Sequence, residues 1–218
     1  MTRPPRRPAF PRRRRDGARR GHGQTLVEFA LILPLFLVLL LGIIEFGFLF
    51  NGQLSLNYAT RDASLVAAEA GSNSIADCLV LQQVDRDLSP PTDDNRVLTV
   101  TIFSASQSGV PVPNVYTSYT RGGSTTCGSI TVPYTLGTDN YPTNVRCSDL
   151  DRGTCNPAYT SAGNTGVDII GVRIDYGYLY ITPLGRVLQT IPGTGAPLWN
   201  GSGMTMTAAN AMRMEPVL

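Results

Sequence analysis

The chain has 218 residues and a net charge of +2, but this small total conceals two segments of opposite charge. Residues 1–23 contain nine of the eighteen arginines and one acid, Asp16, so their net charge is +8, whereas the remainder carries −6. Lysine is absent, and the only histidine is His22. Beyond residue 23 no histidine-based nucleophile relay or histidine metal site is available, and phosphate-loop and dinucleotide motifs are missing. We therefore predict no catalytic residue, cofactor or metal.

The N-terminal segment is rich in arginine and proline. Four prolines lie within Pro4–Pro11, and arginine fills Arg12–Arg15, a composition typical of a solvated tail without a packed core. Because arginine beside a membrane helix retains that side in the cytoplasm, the tail predicts a cytoplasmic N-terminus. A nucleic-acid-binding arm is disfavoured, since no basic fold bearing aromatic residues follows. A twin-arginine signal at Arg19 and Arg20 lacks the expected hydrophobic continuation.

The next segment, Leu26–Phe50, is apolar apart from Glu28 and Glu45. At about 1.5 Å per residue its 25 positions exceed the ~30 Å of a bilayer core, so the segment predicts a transmembrane helix. A secretory signal is disfavoured because its apolar part is shorter, about 7 to 15 residues. Ionisable groups inside a membrane are costly and pair with a partner or mark a function.

The helical pattern continues beyond the apolar segment. We predict one helix over about 24–70, ending at Gly71, which suits a left-handed C-terminal cap. Its outer half is expected to bury an apolar stripe at helical spacing, formed by Leu54, Tyr58, Leu65 and Ala68. Within the apolar half, Pro34 should kink the helix or open a backbone hydrogen bond. Gly42 and Gly47 either allow another helix to approach closely or are merely tolerated small residues.

The helix start carries a short motif. Gly23 and Glu28 form a G-x-x-x-x-E junction, and further matches follow at Glu28-Phe29-Ala30, Pro34 and Ile44–Gly47. This series resembles the TadE-like minor pilins of the tight-adherence (Flp) pilus system. A weaker similarity to the closing strands of such proteins lies at Tyr176–Leu184 and Ala211–Pro216.

The resemblance implies a precursor that a prepilin peptidase cuts on the cytoplasmic side after Gly23, so that the mature chain begins at Gln24. It also implies assembly through the helix with other pilins and an inner-membrane assembly platform, with membrane lipid around it. We expect Glu28 to pair with an N-terminal amine of its own or an adjacent subunit. The residues expected to serve helix packing and assembly are Glu28, Pro34, Gly42, Glu45 and Gly47.

The resulting domain organisation has three parts. Residues 1–23 form a basic leader that is removed, 24–71 a long helix that is transmembrane over about 26–50, and 72–218 an extracytoplasmic domain. We predict an α+β fold, in which the helix continues into a small antiparallel sheet with long disulfide-tied loops.

The elements of this outer domain follow from local patterns. A short amphipathic helix is predicted around Ile75–Val84. Alternation predicts a strand over Arg96–Phe103 with Leu98, Val100 and Ile102 on one face. Ser104–Thr165 is read as long loops with a short strand at Ser129–Tyr134. A strand over Val167–Tyr180, a helix from Thr182 towards Gly193 and a strand over Met204–Met214 complete the chain.

Four cysteines fall in the predicted outer domain: Cys78, Cys127, Cys147 and Cys155. An even number beyond a membrane predicts two disulfides with three possible pairings. Zinc is disfavoured because no pair has C-x2-C spacing. Of these we favour Cys78 with Cys127 and Cys147 with Cys155. Calcium binding by Asp93 and Asp94, or by Asp149 and Asp151, is disfavoured because so few loop carboxylates are usually just solvated.

These observations favour a minor pilin or pseudopilin, a structural protein rather than an enzyme. The alternative is an uncleaved, single-pass anchored binding or adhesin domain whose loops meet a ligand. An enzyme on a membrane stalk is disfavoured for want of catalytic residues. The position of the mature N-terminus distinguishes the first function from the others.

Overall fold

The architecture is known from a computed structural model that describes residues 21–88, 92–148, 167–182 and 203–214. Two helices precede a five-stranded sheet, which confirms the predicted α+β fold. The elements, in chain order, are α1 (Gly21–Ala70), α2 (Ala76–Asp87), β1 (Val97–Ala105), β2 (Pro111–Cys127), β3 (Ile130–Asp139), β4 (Ile169–Leu179) and β5 (Gly203–Arg213). The chain divides between Ile43 and Ile44 into two compact units, here called the inner and the outer unit.

The sheet of the outer unit is antiparallel throughout, with strand order β3-β2-β1-β4-β5. Central strand β1 pairs through Val100 with Tyr119 of β2 and Ile174 of β4. Because side chains alternate across a strand, these residues share one face. That face and both helices form a single core cluster, which includes Ala59 and Ala63 of α1, Val80, Leu81 and Val84 of α2, and Val172, Ile174, Met206 and Ala208 of the sheet.

Helix α1 is continuous through Pro34 and ends where predicted. Gly71 has a φ of +55°, a left-handed conformation that glycine adopts without a steric penalty. Its amide donates to the Ala67 carbonyl at 3.2 Å, which closes the last turn. A side chain at this position would also meet Ser148, whose Cβ lies 3.0 Å from the site of an added Cβ.

The predicted apolar stripe of α1 is wrong in its main members. Leu54, Tyr58 and Leu65 are 41%, 63% and 44% exposed, and of the predicted set only Ala68 is buried. The helix instead contacts the sheet through a ridge of small residues and one leucine, namely Leu56, Ala59, Ala63 and Ala67. Small side chains let the helix backbone approach the sheet closely, so large residues are displaced to the opposite face.

The stretch predicted to form long loops is largely a β-hairpin. Strands β2 and β3 occupy most of 111–139, and residues 149–166 lie outside the described part of the chain. Val115, Thr117 and Tyr119 are buried at alternate positions, a period-2 pattern that the surrounding Gly, Ser and Thr obscured. Thr and Tyr also suit a half-buried pleated surface. The two strands are joined at Gly128, which has a φ of +60°.

The other predicted strands are present with small corrections. Leu98 is 45% exposed rather than buried, because the β1–β4 register shifts between Val97 and Thr99 and moves this side chain off the core face. Strands β4 and β5 lie at the predicted places, as does α2. The predicted helix from Thr182 towards Gly193 lies outside the described residues beyond Thr182 itself.

Candidate functional site: the apolar helix and its attachment to the sheet

The inner unit is an apolar helical segment with exposed side chains. Leu31 is 75% exposed and Leu35 is 72% exposed, and the other large residues from Leu26 to Ile43 are at least 38% exposed apart from Leu33 and Leu41, which are half-buried. Thr25–Ile43 spans roughly 28 Å, close to the ~30 Å of a bilayer core. Within the described residues, α1 is the one helix long and apolar enough to cross a membrane. Such a surface requires lipid or a protein partner.

The predicted processing and assembly residues lie along this segment. Gly23 and Gln24 fall in the first turn of α1, and Glu28 lies in the next turn with its side chain exposed. Among the described residues, no atom lies within 4 Å of a Cβ added at Gly42 or Gly47, so neither glycine marks a close contact there. Of the acidic residues predicted for assembly, Glu45 has a role inside the chain itself.

The Glu45 carboxylate is held by three donors from the end of β4, an arrangement named here the Glu45 clamp. Its Oε1 accepts from the Tyr178 hydroxyl at 2.8 Å and from the Ile181 amide at 3.1 Å. Its Oε2 accepts from the Thr182 amide at 2.7 Å. Only 8% of Glu45 is exposed. The clamp therefore fastens α1, at the second residue of the outer unit, to a chain segment 136 residues away.

Aromatic residues flank the clamp. The rings of Tyr178 and Tyr180 meet edge to face, with centroids 5.9 Å apart. Burial and the neighbouring Glu45 carboxylate raise the pKa of Tyr178, so its hydroxyl stays protonated and donates. On the helix side, a Cβ added at Gly52 would lie 3.7 Å from the Tyr178 ring, an ordinary van der Waals distance, so the ring lies beside α1 at this turn.

A disulfide ties the second helix to the far end of the hairpin. Cys78 of α2 and Cys127 of β2, the pairing favoured from the sequence, are bonded with their Cα atoms 6.0 Å apart. Cys147 is disulfide-bonded as well, and Cys155 lies outside the described residues. The bond attaches the β2–β3 hairpin to α2 by a covalent link as well as by packing.

Beside the disulfide lies a buried ion pair between α2 and the chain after β3. Arg146 Nη1 is 2.6 Å from Asp77 Oδ1, and both side chains are almost fully buried, although the two atoms are not aligned for a hydrogen bond. Asp77 Oδ2 accepts from the Tyr119 hydroxyl at 2.7 Å. Arg146 also donates to the Tyr141 carbonyl at 3.1 Å. Removing one member of such a pair leaves a buried charge uncompensated, which costs about 3 to 5 kcal/mol.

A second buried carboxylate, Asp168, precedes β4. Its Oδ2 accepts from the Tyr141 hydroxyl at 2.8 Å and from the Cys147 amide at 3.0 Å, and its Oδ1 has no hydrogen-bond partner among the described residues. Burial raises the pKa of Asp168, and these two donors together with Arg146 only partly oppose the rise. This group connects β4 to the segment that carries Cys147.

A third polar cluster binds the hairpin to α2. Arg121 of β2 contacts Asp85 of α2 and donates to Asp94 at 2.7 Å, and the Tyr134 hydroxyl donates to Asp85 at 2.6 Å. Asp93, weighed from the sequence as a calcium ligand with Asp94, instead accepts from Asn95 and lies 3.5 Å from Arg96. The Arg121 contacts therefore join β2 to α2 and to the segment before β1.

The described geometry defines a protein with a single apolar N-terminal helix, suited to membrane anchoring, attached to a small cross-linked α+β unit. The model of the TadE-like protein family matches residues 23–65, which confirms the resemblance seen in the sequence. That match extends from the Gly23 junction through the exposed apolar segment into the part of α1 that packs on the sheet. No curated protein and no solved structure matches the chain significantly.

Proposed function

We propose that the protein is a minor pilin or pseudopilin of a tight-adherence pilus, cleaved after Gly23 by a prepilin peptidase and assembled through α1. The observation that carries this proposal is the position of the TadE-like match, which begins at residue 23. The same residue begins the G-x-x-x-x-E junction, and the exposed apolar helix follows directly. Family membership of this kind suggests a structural subunit with other pilins as partners.

The proposed orientation places the arginine-rich N-terminus in the cytoplasm and the outer unit beyond the membrane. Two features support it: the charge of +8 on residues 1–23 and the Cys78–Cys127 disulfide, which suits an oxidising compartment. Alkylation of the native protein without reductant should label none of the four cysteines. Labelling of Cys78 and Cys127 in cells would contradict this orientation.

Cleavage is tested by the mass of the mature protein. Intact-mass analysis after membrane extraction should show loss of residues 1–23, with Gln24 as the first residue. Gly23→Leu should leave the precursor uncut, because a bulky side chain blocks the peptidase, whereas the matched Gly21→Leu should be processed. A native protein that retains Arg12–Arg15 would favour the alternative, an uncleaved single-pass membrane-anchored binding or adhesin domain.

Assembly is proposed to depend on Glu28. After cleavage, Gln24 presents an α-ammonium group at the positive end of the helix dipole, one turn before Glu28. Opposite charges attract far more strongly in an apolar surrounding than in water, so Glu28 pairs with the amine of its own or an adjacent subunit and sets the register between helices.

The test compares incorporation into sheared filaments. Glu28→Gln should be inserted and cleaved like the wild type and yet be depleted from filaments. The control is Glu69→Gln, an exposed glutamate on the same helix. Glu45→Gln is unsuitable as a control because it disrupts the clamp. Equal incorporation of Glu28→Gln and wild type would remove the pairing from the proposal while leaving cleavage intact.

A further inference from the structure

The outer unit exposes large apolar side chains close to the Glu45 clamp. Phe46 and Phe50 of α1 are 67% and 55% exposed, and Leu179 and Ile181, at the end of β4, are 40% and 60% exposed. The clamp holds the end of β4 beside α1, because the Ile181 amide donates to Glu45 Oε1 at 3.1 Å. These four residues are named here the apolar rim.

The four residues of the apolar rim are distributed over more than one side of α1. At about 100° per residue, Phe46 and Phe50 project roughly 100° and 140° away from Glu45 around the helix axis. Leu179 and Ile181 come from the chain segment that meets Glu45 itself. One neighbouring helix could cover one of these sides, whereas a lipid surface covers all of them at once.

The length of the apolar helix places the rim near a bilayer surface. Thr25–Ile43 spans roughly 28 Å and so uses the ~30 Å hydrocarbon core. Phe46 and Phe50 follow within the next two turns of the same helix and so lie just beyond that core. The Glu45 carboxylate suits this depth, because three donors already satisfy it.

We propose that the apolar rim inserts into the interfacial layer of a phospholipid bilayer, so that the end of β4 is a second lipid contact beside α1. This inference rests on the membrane anchoring of α1 in the proposed function. The rim binds acyl chains by burying apolar surface and requires no particular headgroup. Arg96, next to the rim in the cavity lined by Phe48, Leu179 and Ile181, is paired with Asp93 and does not define the lipid class.

The experiment measures depth with tryptophan fluorescence in the full chain. Trp199, the only tryptophan, is replaced by phenylalanine, and a new tryptophan is introduced by Ile181→Trp or, in a second variant, by Leu179→Trp. Each protein is reconstituted into phosphatidylcholine vesicles whose acyl chains carry bromine near the headgroup or near the methyl ends. Val110→Trp, on the turn at the opposite end of the sheet, is the matched exposed control. Leu37→Trp, within the apolar helix, reports insertion.

Both rim tryptophans should lose most of their fluorescence with bromine near the headgroup and less with bromine near the methyl ends. The tryptophan at position 110 should be unaffected by either lipid. If position 37 is quenched but neither rim position is, the rim does not contact lipid, and this inference fails while membrane anchoring stands. If position 37 is not quenched either, the anchoring itself fails and the proposed function fails with it.

Discussion

Substitution of Glu45 tests whether the clamp holds the helix to the sheet. In Glu45→Gln one carboxylate oxygen becomes an NH2 group. If that group replaces Oε2, it faces the Thr182 amide, and if it replaces Oε1, it faces the Ile181 amide, although the Tyr178 hydroxyl can then rotate to accept. Either orientation leaves one backbone N–H opposite another donor.

The expected loss of unfolding free energy follows from those contacts. Loss of one charge-assisted hydrogen bond, with a backbone amide left unsatisfied, costs about 2 to 3 kcal/mol. Tyr178→Phe removes one donor and leaves Glu45 with two, so it should cost less, about 1 to 2 kcal/mol. The double variant should cost less than the sum, because the two residues share a bond.

Denaturant unfolding of the full chain in detergent micelles measures these free energies, and hydrogen exchange locates the effect. The amides of Ile181 and Thr182 should exchange faster in Glu45→Gln. Glu69→Gln, at an exposed site on the same helix, should stay within about 0.5 kcal/mol of the wild type. The clamp would be refuted if Glu45→Gln matched this control in both stability and exchange.

Two further predictions concern the outer unit. The double variant Cys78→Ser with Cys127→Ser removes a disulfide between residues separated by 49 positions. The chain-entropy relation predicts that the unfolding free energy falls by about 4 kcal/mol. Denaturant titration measures this loss, and equal unfolding midpoints in the variant and the wild type would contradict the prediction. Burial raises the pKa of the Asp168 carboxyl above its ordinary 3.8, so the protonated carboxyl stabilises the folded state. This stabilisation is complete below pH 3.8 and is lost as the pH rises through the pKa of the folded state. As the pH rises above 3.8, the unfolding free energy should therefore fall less steeply in Asp168→Asn than in the wild type, and identical slopes would refute this assignment.

Local periodicity was sufficient for much of the architecture. Helix α1, with its end at Gly71, and strands β4 and β5 were predictable because each has a clear period or a glycine with a defined conformational role. The β2–β3 hairpin was not, since its alternation is carried by Thr, Tyr and a few valines among residues that also favour turns. Its attachment to α2 depends on the Arg121 contacts and on a disulfide, which only spatial proximity reveals.

The Glu45 clamp was beyond sequence reasoning for a different reason. The charge within an apolar run marked Glu45 as significant and placed it among the residues expected to serve helix packing and assembly. In the structure the Glu45 carboxylate accepts hydrogen bonds from the backbone amides of Ile181 and Thr182. Every residue except proline has a backbone amide, so no residue type in the sequence identifies these two as partners. Only the hydroxyl of Tyr178 could have been sought, and several other tyrosines were equally available in the chain.

The sequence pattern and the structure disagree about which face of α1 packs on the sheet, and this disagreement can be tested. The pattern buries Leu65 and predicts a cost of about 2 to 5 kcal/mol for Leu65→Ala. In the structure Leu65 is 44% exposed and Ala63 is fully buried in the core shared with the sheet. Leu65→Ala should therefore change the unfolding free energy by less than about 0.5 kcal/mol.

Ala63→Leu is the informative counterpart, because it adds three carbon atoms where the helix backbone lies close to the sheet. Overpacking there should cost about 1 to 3 kcal/mol, even though leucine is a strong helix former. Denaturant unfolding of both variants in the same micelles compares them directly. A destabilised Leu65→Ala beside an unaffected Ala63→Leu would mean that α1 presents the opposite face to the sheet, and the clamp geometry at Glu45 would then be wrong as well, since both depend on one rotation of the helix about its axis.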